Sequence, residues 1–439
     1  MIIHSPIRVT DKKFTEYTAK INFLKSDRTL VFRIDSCYDH MLTDLSDPFL
    51  IALLLPAMGN KEDIEVRGKI SERLLKNMQS TVQDILCMLI PGLRKVSITA
   101  TEVITGSPVK SKNVLSAVSG GVDSFVTFED YYLKPKTSTK ITHFLLNNMC
   151  DIYDKKPQVI DNVKKLLNKY NVPLIQTWSN LHIFARWDTI LDRRGKYGRQ
   201  FTIDETHPME NSAIAHLLGG EPNTFLYSSS SGSCTRGTEF TVMDENGKST
   251  TVSKFNHKQL TLKNRANFNR IFKESGKFSN TNFLFPTTDT GGDPGNDIMA
   301  CEPTLLPLLS TPQVKCESVG TEYTRPEKTI KVADLKDAHN HLDVCNRPPT
   351  LKYVNCGICR KCTRLLLMLE LINKKNHFKS NMFDLEAWDQ IRSAYIQELP
   401  TRWTRHDDVE TCWWIQENAP DLLEVEWGQQ PQFPTLGLL

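Results

Sequence analysis

Residues 113–125 join an apolar run to a glycine-rich turn of a kind that binds phosphate. The apolar run predicts a buried parallel strand over 113–118, followed by the turn Ser-Gly-Gly-Val-Asp-Ser at 119–124 and a helix beginning near Ser124. Backbone N–H groups and the positive end of a helix dipole hold phosphate oxygens in such turns, and Ser119 and Ser124 add hydroxyl donors. No lysine follows the second glycine, so the γ-phosphate hydrolysis of P-loop enzymes is not expected.

Four cysteines in the last quarter of the chain have the spacing of a metal site. Cys345 is followed by Cys356, Cys359 and Cys362, and two residues separate each neighbouring pair of the last three. This spacing lets the thiolates converge, and four sulfurs complete the tetrahedral shell of structural Zn²⁺. An iron–sulfur cluster could use the same ligands, and a redox or sulfur-transfer pair is a third interpretation. Because a four-cysteine zinc site has no open position, its role would be structural.

Together the two motifs resemble a known enzyme family. The turn at 119–124 resembles the PP-loop of the ATP pyrophosphatases, whose signature is Ser-Gly-Gly-x-Asp-Ser. Those enzymes cleave ATP between its α and β phosphates and place AMP on a carboxylate, urea or carbonyl oxygen, and a nitrogen or sulfur nucleophile then displaces AMP. A PP-loop followed by Cys…Cys-x-x-Cys-x-x-Cys resembles the 7-cyano-7-deazaguanine synthases (QueC) over residues 110–375. QueC uses ATP and ammonia to convert a carboxylate on deazaguanine to an amide and then to a nitrile.

The resemblance implies roles for individual residues, with ATP, Mg²⁺ and Zn²⁺ as cofactors. Asp123 would lie near the magnesium, and Asp123 and Ser124 would be catalytic. The serine run that begins at Ser228 would line the pocket, or else form a flexible polar loop. The residues expected to bind nucleotide or substrate are Ser119, Gly120, Gly121, Val122, Asp123, Ser124, Asn147, Ser228, Ser229 and Ser230, and the expected metal ligands are Cys345, Cys356, Cys359 and Cys362.

The chain is longer than an ordinary QueC, with extra sequence before the turn, in the middle and at the end. Its length and its cysteine motif resemble enlarged QueC-like proteins of bacterial antiphage operons, such as the QatC proteins of the Qat system and the QueC-like proteins of type IV CBASS. There the implied role is modification of a partner protein from the same operon by a deazaguanine. The resemblance thus implies an ATP-dependent C–N ligase with a small-molecule deazaguanine substrate. The alternatives are a queuosine-pathway synthase, a catalytically idle nucleotide-binding subunit of a defence complex, and a tRNA-thiolating enzyme.

The elements that must position these residues follow an alternating pattern. Strand-like segments at 141–147, 173–177 and 224–227 alternate with helix-like segments at 159–170 and 211–218, which predicts the α/β class with a doubly wound parallel sheet. By resemblance this sheet is Rossmann-like, of the HUP/PP-loop type. Ligands of such sheets lie beyond the carboxyl ends of the strands, where Asn147, Trp178 and Tyr227 would meet the turn.

Several polar residues are weaker candidates, and each has a structural alternative. His207 could act in the site, cap a helix or lie on the surface. Asp293 and Asp297 could bind magnesium or substrate, or form turns. The basic residues around the cysteines could neutralise phosphate or balance the charge of the thiolates, namely Arg347, Arg360, Lys361 and Arg364.

Four regions are predicted along the chain. Residues 1–108 form an α+β module, with strands at 17–24 and 28–34 and helices at 44–58 and 70–90. Residues 109–335 form the PP-loop domain, 336–378 the four-cysteine segment, and 379–439 a tryptophan-rich helical region. The PP-loop domain contains an insertion at 235–280 with nine Lys or Arg against four acids, in which Asn246-Gly247 predicts a β-hairpin. The insertion is either a solvated excursion or a docking surface for an acidic protein segment or tRNA.

Composition indicates a globular protein in a reducing compartment. The net charge of +3 is too small to indicate nucleic acid as the main partner. The first residues lack the pattern of a signal peptide, and the longest apolar run, 49–58, contains Pro56 and is too short to span a bilayer. Seven cysteines lie outside the cluster without regular spacing, as expected of buried reduced thiols. We therefore expect a cytoplasmic protein with no membrane segment.

Overall fold

The computed structural model describes residues 1–89, 93–135, 137–148, 157–181, 203–229, 240–243, 249–252, 298–345 and 352–399, together with residues 410, 411, 414, 415, 418, 419 and 422. The chain divides into two compact units. The first unit comprises Met1–Ser119, Asp130–Ser228 and Cys301–Val319, and the second comprises Gly120–Glu129, Ser229–Ala300 and Gly320–Leu439.

The first unit is built on one eleven-stranded sheet, and the second contains a two-stranded hairpin. The strands of the sheet are β1 (Ile2–Ile3), β2 (Ile7–Thr10), β3 (Phe14–Phe23), β4 (Ser26–Asp35), β5 (Ile64–Ser71), β6 (Ile98–Ile104), β7 (Asn113–Ala117), β8 (His143–Asn148), β9 (Leu174–Ser179), β10 (Asn223–Ser228) and β13 (Val314–Val319), and those of the hairpin are β11 (Phe240–Met243) and β12 (Ser249–Val252).

Both units contain helices. They are α1 (Asp47–Asn60), α2 (Glu72–Gln79), α3 (Thr81–Leu89), α4 (Val122–Phe128), α5 (Pro157–Asn168), α6 (Ile203–Leu217), α7 (Ile298–Leu308), α8 (Arg325–Asp334), α9 (Ala338–His341), α10 (Arg360–Leu371) and α11 (Leu385–Glu398). A π-helical turn, Glu129–Leu133, continues α4.

Five neighbouring strands of the sheet are parallel, in the order β13-β10-β7-β8-β9. The chain order reverses at β7, because β8 and β9 lie on one side of it and β10 and β13 on the other. The predicted α/β class is confirmed, although β13 was not predicted. In open parallel sheets, ligands bind beside such a reversal, at the carboxyl ends of the strands.

The N-terminal strands continue the same sheet. β4 pairs antiparallel with β9, with Phe32 opposite Ser179, and forms a hairpin with β3 in which each strand has ten residues. Leu24 and Lys25 connect the hairpin with φ of 49° and 59°, the left-handed backbone of a two-residue turn that suits the twist of the strands. The strands predicted at 17–24 and 28–34 are therefore confirmed as β3 and β4.

The helix predicted over 70–90 is wrong in its first part. β5 extends to Ser71, and Ser80 separates α2 from α3. Alternate residues of β5, including Ile64, Val66 and Ile70, are buried, and this two-residue period is that of a strand rather than a helix.

The apolar run at 49–58 lies in α1 and is buried along its length. Among the described residues, no helix combines the length and apolar character needed to cross a membrane.

The described part of the tryptophan-rich region packs within the second unit. Trp388 of α11 is fully buried, and its Nε1 donates to Glu370 Oε2 of α10 over 3.1 Å. The predicted hairpin of the 235–280 insertion is confirmed by β11 and β12, whose register places Phe240 opposite Val252. The rest of that insertion lies outside the described residues, as do Cys150, Ser230, Cys234, Asp293, Asp297, Arg347, Trp403, Trp413 and Trp427.

Candidate functional site

The turn at 119–124 leads from β7 to α4. Ser119 is exposed and is the last residue of this segment in the first unit. Gly120 has a φ of +77°, a left-handed conformation that favours glycine, and Gly121 caps α4, which begins at Val122, two residues before the predicted start. The Ser124 hydroxyl donates to Gly121 O over 2.9 Å, so it closes the turn on itself.

Two cations contact the Asp123 carboxylate within the second unit. Arg325 Nη1 lies 3.0 Å and Lys328 Nζ 3.2 Å from Asp123 Oδ1. The side chains of Arg325 and Lys328 are 8% and 1% exposed, whereas that of Asp123 is 24% exposed. These three side chains have one positive charge in excess, and the Glu410 carboxylate, which accepts from Arg325 N over 2.6 Å, lies at the start of the same helix, α8. Cationic side chains beside a glycine turn are suited to bind an anion.

Helix α8 fixes these cations. Its start is a capping box, in which Thr324 Oγ1 accepts from Glu327 N and Glu327 accepts from Thr324 N. Arg325 and Lys328 are three residues apart and therefore share one face of the helix. Burial of an ammonium group costs several kcal/mol unless it is paired, and Lys328 Nζ also donates to Ser229 O over 2.5 Å.

Arg325 and Lys328 are functional candidates that were not predicted from the sequence, although part of the signal was present. Thr324 and Glu327 have the Thr-x-x-Glu spacing of a capping box, which marks a helix start at 325. That signal predicts that the two basic residues share a helix face. It does not reveal that this face meets Asp123, which precedes Lys328 by 205 positions.

The four predicted metal ligands come together in the second unit. The sulfurs of Cys345, Cys356, Cys359 and Cys362 all lie within 4.8 Å of one another. The Sγ atoms of Cys345 and Cys359 are 3.9 Å apart and those of Cys359 and Cys362 are 3.4 Å apart. A tetrahedral ion with Zn–S bonds of about 2.3 Å needs sulfurs about 3.8 Å apart. The cluster could therefore hold a metal ion such as zinc.

The local backbone and electrostatics also suit a cation. Gly357 has a φ of +71°, and a Cβ atom there would come 2.2 Å from Asp384 O, so only glycine fits. The Cys362 thiol, together with the backbone N–H groups of Ile358 and Cys359, lowers the pKa of Cys356 to about 6. A thiolate is therefore present at neutral pH, and thiolates are the form that binds metal.

Within the first unit, a hydrogen-bonded polar cluster lies at the carboxyl ends of the parallel strands. Thr177 Oγ1 donates to Asn147 Oδ1 over 2.9 Å, and Asn147 Nδ2 donates to Asn211 Oδ1 over 2.5 Å. Asn211 Nδ2 in turn donates to the backbone oxygen of His207 over 2.8 Å. The His207 ring contacts Tyr227, with Nδ1 2.5 Å from the phenol oxygen and the rings stacked at 5.8 Å. We call these five residues the strand-edge cluster.

The serine run is only partly within the described residues. Ser228 ends β10 in the first unit, and its buried hydroxyl has no hydrogen-bond partner among the described residues. Ser229 belongs to the second unit, is 1% exposed, and contributes the carbonyl that Lys328 contacts.

His207 lies inside α6 rather than before it, because α6 begins at Ile203 and continues through Pro208. The interpretation of His207 as a helix cap is therefore wrong.

Cys316, which is not part of the cysteine cluster, contacts a histidine in the core of the first unit. Cys316 Sγ is 3.9 Å from His216 Nε2, and His216 Nδ1 is 3.9 Å from Asp47 Oδ2. Burial raises the pKa of Cys316 to about 12 and lowers that of His216 to about 4, so both are neutral at pH 7. This trio resembles a catalytic triad only in residue type, since a protonated thiol without solvent access is not a nucleophile. Cys37, by contrast, is exposed, contrary to the expectation that the other thiols are buried.

The chain matches no model of a protein family, no curated protein and no solved structure. The candidate site is therefore defined by its own geometry: a glycine turn with two buried cations, and a cluster of four cysteines.

Proposed function

We propose that the protein is a QueC-like PP-loop ATP pyrophosphatase that adenylates a carboxylate, releases pyrophosphate and forms a C–N bond. The contact of Asp123 with Arg325 and Lys328 is the observation that carries this proposal. It adds two positive charges to a turn whose sequence resembles a pyrophosphate-binding loop. The order of the five parallel strands, with its reversal at β7, supports the Rossmann-like fold of that family.

Binding of ATP would rearrange the charges at the turn. Arg325 and Lys328 would bind the oxygens of the departing pyrophosphate, and the turn from Ser119 to Ser124 would donate its backbone and hydroxyl hydrogens to the same group. Mg²⁺, when bound, would neutralise phosphate charge, and Asp123 is the carboxylate suited to hold it. Because both cations are already buried and fixed by α8, they need little reorganisation as negative charge develops on the leaving group.

The substrate, the metal and the partner are assigned by the resemblance. The carboxylate would be that of 7-carboxy-7-deazaguanine, and the amine would be ammonia or an amino group of a partner protein in an antiphage operon. The four cysteines would hold structural Zn²⁺. A queuosine-pathway synthase would use ammonia alone, whereas an idle nucleotide-binding subunit would form no product.

Mass spectrometry of the products tests the proposal. The purified protein is incubated with Mg-ATP, 7-carboxy-7-deazaguanine and ammonium, in parallel with the variant Asp123→Asn. AMP together with an amide or nitrile deazaguanine, formed by the wild type and strongly reduced in the variant, supports the proposal. Intact ATP and unchanged substrate with the wild type, both alone and with the proteins of neighbouring genes, would favour the idle subunit.

A further inference from the structure

Residues 342–345 lead into the cysteine cluster and contact Gly120 within the second unit. Gly120 belongs to the turn at 119–124, which we call the phosphate turn. The backbone N–H of Asp343 donates to Gly120 O over 2.8 Å. Gly120 is the residue of the turn with a left-handed backbone, so its carbonyl direction depends on a conformation that few residues adopt. A hydrogen bond to that carbonyl stabilises the conformation that the turn needs.

Hydrogen bonds connect the same segment to Cys345 and to Asn355, the residue before Cys356. The N–H of the metal ligand Cys345 donates to Asp343 Oδ1 over 3.3 Å. The side chain of Asn355, which precedes the ligand Cys356, accepts from Val344 N over 2.9 Å and donates to Leu342 O over 2.9 Å. Asn355 is fully buried, and its Nδ2 also donates to Met382 O over 3.0 Å. One side chain therefore clamps the residues on both sides of Asp343.

We propose that the metal cluster positions the phosphate turn, and that Asn355 is the positioning residue that couples the two. A metal bound by Cys345 and Cys356 fixes the segments on both sides of the Asn355 clamp, and the clamp holds the Asp343 N–H against Gly120 O. Loss of the metal frees Cys345 from Cys356, so that this hydrogen bond weakens and the turn samples other conformations. The metal would thus control phosphate binding from a distance, without contact with the ligand.

The coupling itself follows from hydrogen bonds, whereas its effect on phosphate binding rests on the proposed function. The two claims therefore need separate measurements. Amide hydrogen exchange reports how well the turn is fixed, with no substrate present. Affinity for magnesium pyrophosphate reports whether the turn is a phosphate site.

The test compares hydrogen exchange in the full-length zinc-loaded wild type, the zinc-free wild type and the zinc-loaded variant Asn355→Ser. Asn381→Ser is the matched control, because Asn381 is an exposed asparagine in the segment that Asn355 contacts. Zinc content is measured on each sample. In the zinc-free protein and in Asn355→Ser with zinc retained, amides of residues 120–125 should exchange about tenfold faster or more, while those of β8 and α11 keep their protection.

Two results would overturn the coupling. One is exchange at residues 120–125 that is the same in all samples. The other is an equal loss of protection throughout the second unit, α11 included, since that would mean general unfolding. Asn355→Ser should also bind magnesium pyrophosphate about tenfold more weakly than Asn381→Ser, a loss of about 1.4 kcal/mol. If the wild type binds no pyrophosphate, the proposed function fails, and the exchange data still decide the coupling.

Discussion

The ammonium group of Lys328 lies 3.2 Å from the carboxylate of Asp123, across 205 positions of sequence. The lysine side chain is 1% exposed, so this contact is an ion pair largely removed from water. A buried charge persists in a folded protein when a partner compensates it, and here the partner belongs to the glycine turn. The ion pair therefore couples the stability of α8 to Asp123, the residue of the turn that is expected to act in catalysis.

Replacement of Asp123 should cost stability as well as activity. Asp123→Ala leaves Lys328 and Arg325 without their shared carboxylate, and we expect a loss of about 3 kcal/mol in the free energy of unfolding. Asp123→Asn keeps an acceptor oxygen and should lose less. Glu16→Gln is the control, because the Glu16–Arg33 pair is 37% exposed on both sides and should contribute less than about 1 kcal/mol. Equal losses for Asp123→Ala and Glu16→Gln in urea unfolding would show that the buried pair is not stabilising.

The cysteine cluster should bind one zinc ion per chain. Cys359→Ser removes a ligand from the centre of the cluster and should abolish stoichiometric zinc, measured by inductively coupled plasma mass spectrometry after dialysis. Cys37→Ser changes an exposed thiol outside the cluster and should leave the zinc content unchanged. Iron with a visible absorption band in the wild type would instead indicate an iron–sulfur cluster.

The buried pair His216 and Asp47 should give opposite contributions to the pH dependence of stability. Burial lowers the pKa of His216 to about 4 from the usual 6.5, so the unfolded chain binds that proton more tightly and stability falls as the pH decreases from 6.5 to 4. Burial raises the pKa of Asp47 to about 6 from 3.8, although hydrogen bonds from Ser71 oppose the shift. Its contribution is therefore present at low pH and is lost as the pH rises through 6.

Single variants separate these two contributions. When the pH is lowered from 6.5 to 5, the free energy of unfolding of His216→Gln should rise by about 2 kcal/mol relative to that of the wild type. The variant lacks the histidine whose protonation in the unfolded chain destabilises the wild type. Over the same interval Asp47→Asn should lose about 1 kcal/mol relative to the wild type. Denaturant unfolding at the two pH values gives both differences. Shifts of the same sign for the two variants would be inconsistent with a buried histidine of lowered pKa beside a buried aspartate of raised pKa.

The features that the sequence predicts well are local ones. The turn at 119–124 and the cysteine spacing of 356–362 contain their signal within a few residues, and the structure forms the expected strand, turn and helix around the first and a compact sulfur cluster at the second. The hairpin strands β3 and β4 are predictable because polar and apolar residues alternate along them, and every second residue is buried from Thr15 to Phe23 and from Leu30 to Ile34.

The features that the sequence does not predict depend on contacts between distant segments. β6 has mostly exposed residues, so it lacks the alternating pattern that would mark a strand, and its pairing with β5 defines it. The capping box at Thr324 and Glu327 predicts only that Arg325 and Lys328 share a helix face, and the fold brings that face to Asp123. The strand-edge cluster likewise needs α6 and three strands to assemble, and no spacing along the chain relates Thr177 to Asn211.

The most direct test of the account is the position at which ATP is cleaved. ATP labelled in the α or γ phosphate is incubated with Mg²⁺, 7-carboxy-7-deazaguanine, ammonium and either the wild type, Lys328→Met or Lys331→Met. Lys331 is the matched control, because it lies one turn further along α8 and pairs with Glu129 instead of Asp123. We predict AMP and pyrophosphate as products, at a rate that is about a hundredfold lower in Lys328→Met alone. Products of ADP and phosphate, or equal rates for the two lysine variants, would contradict the account.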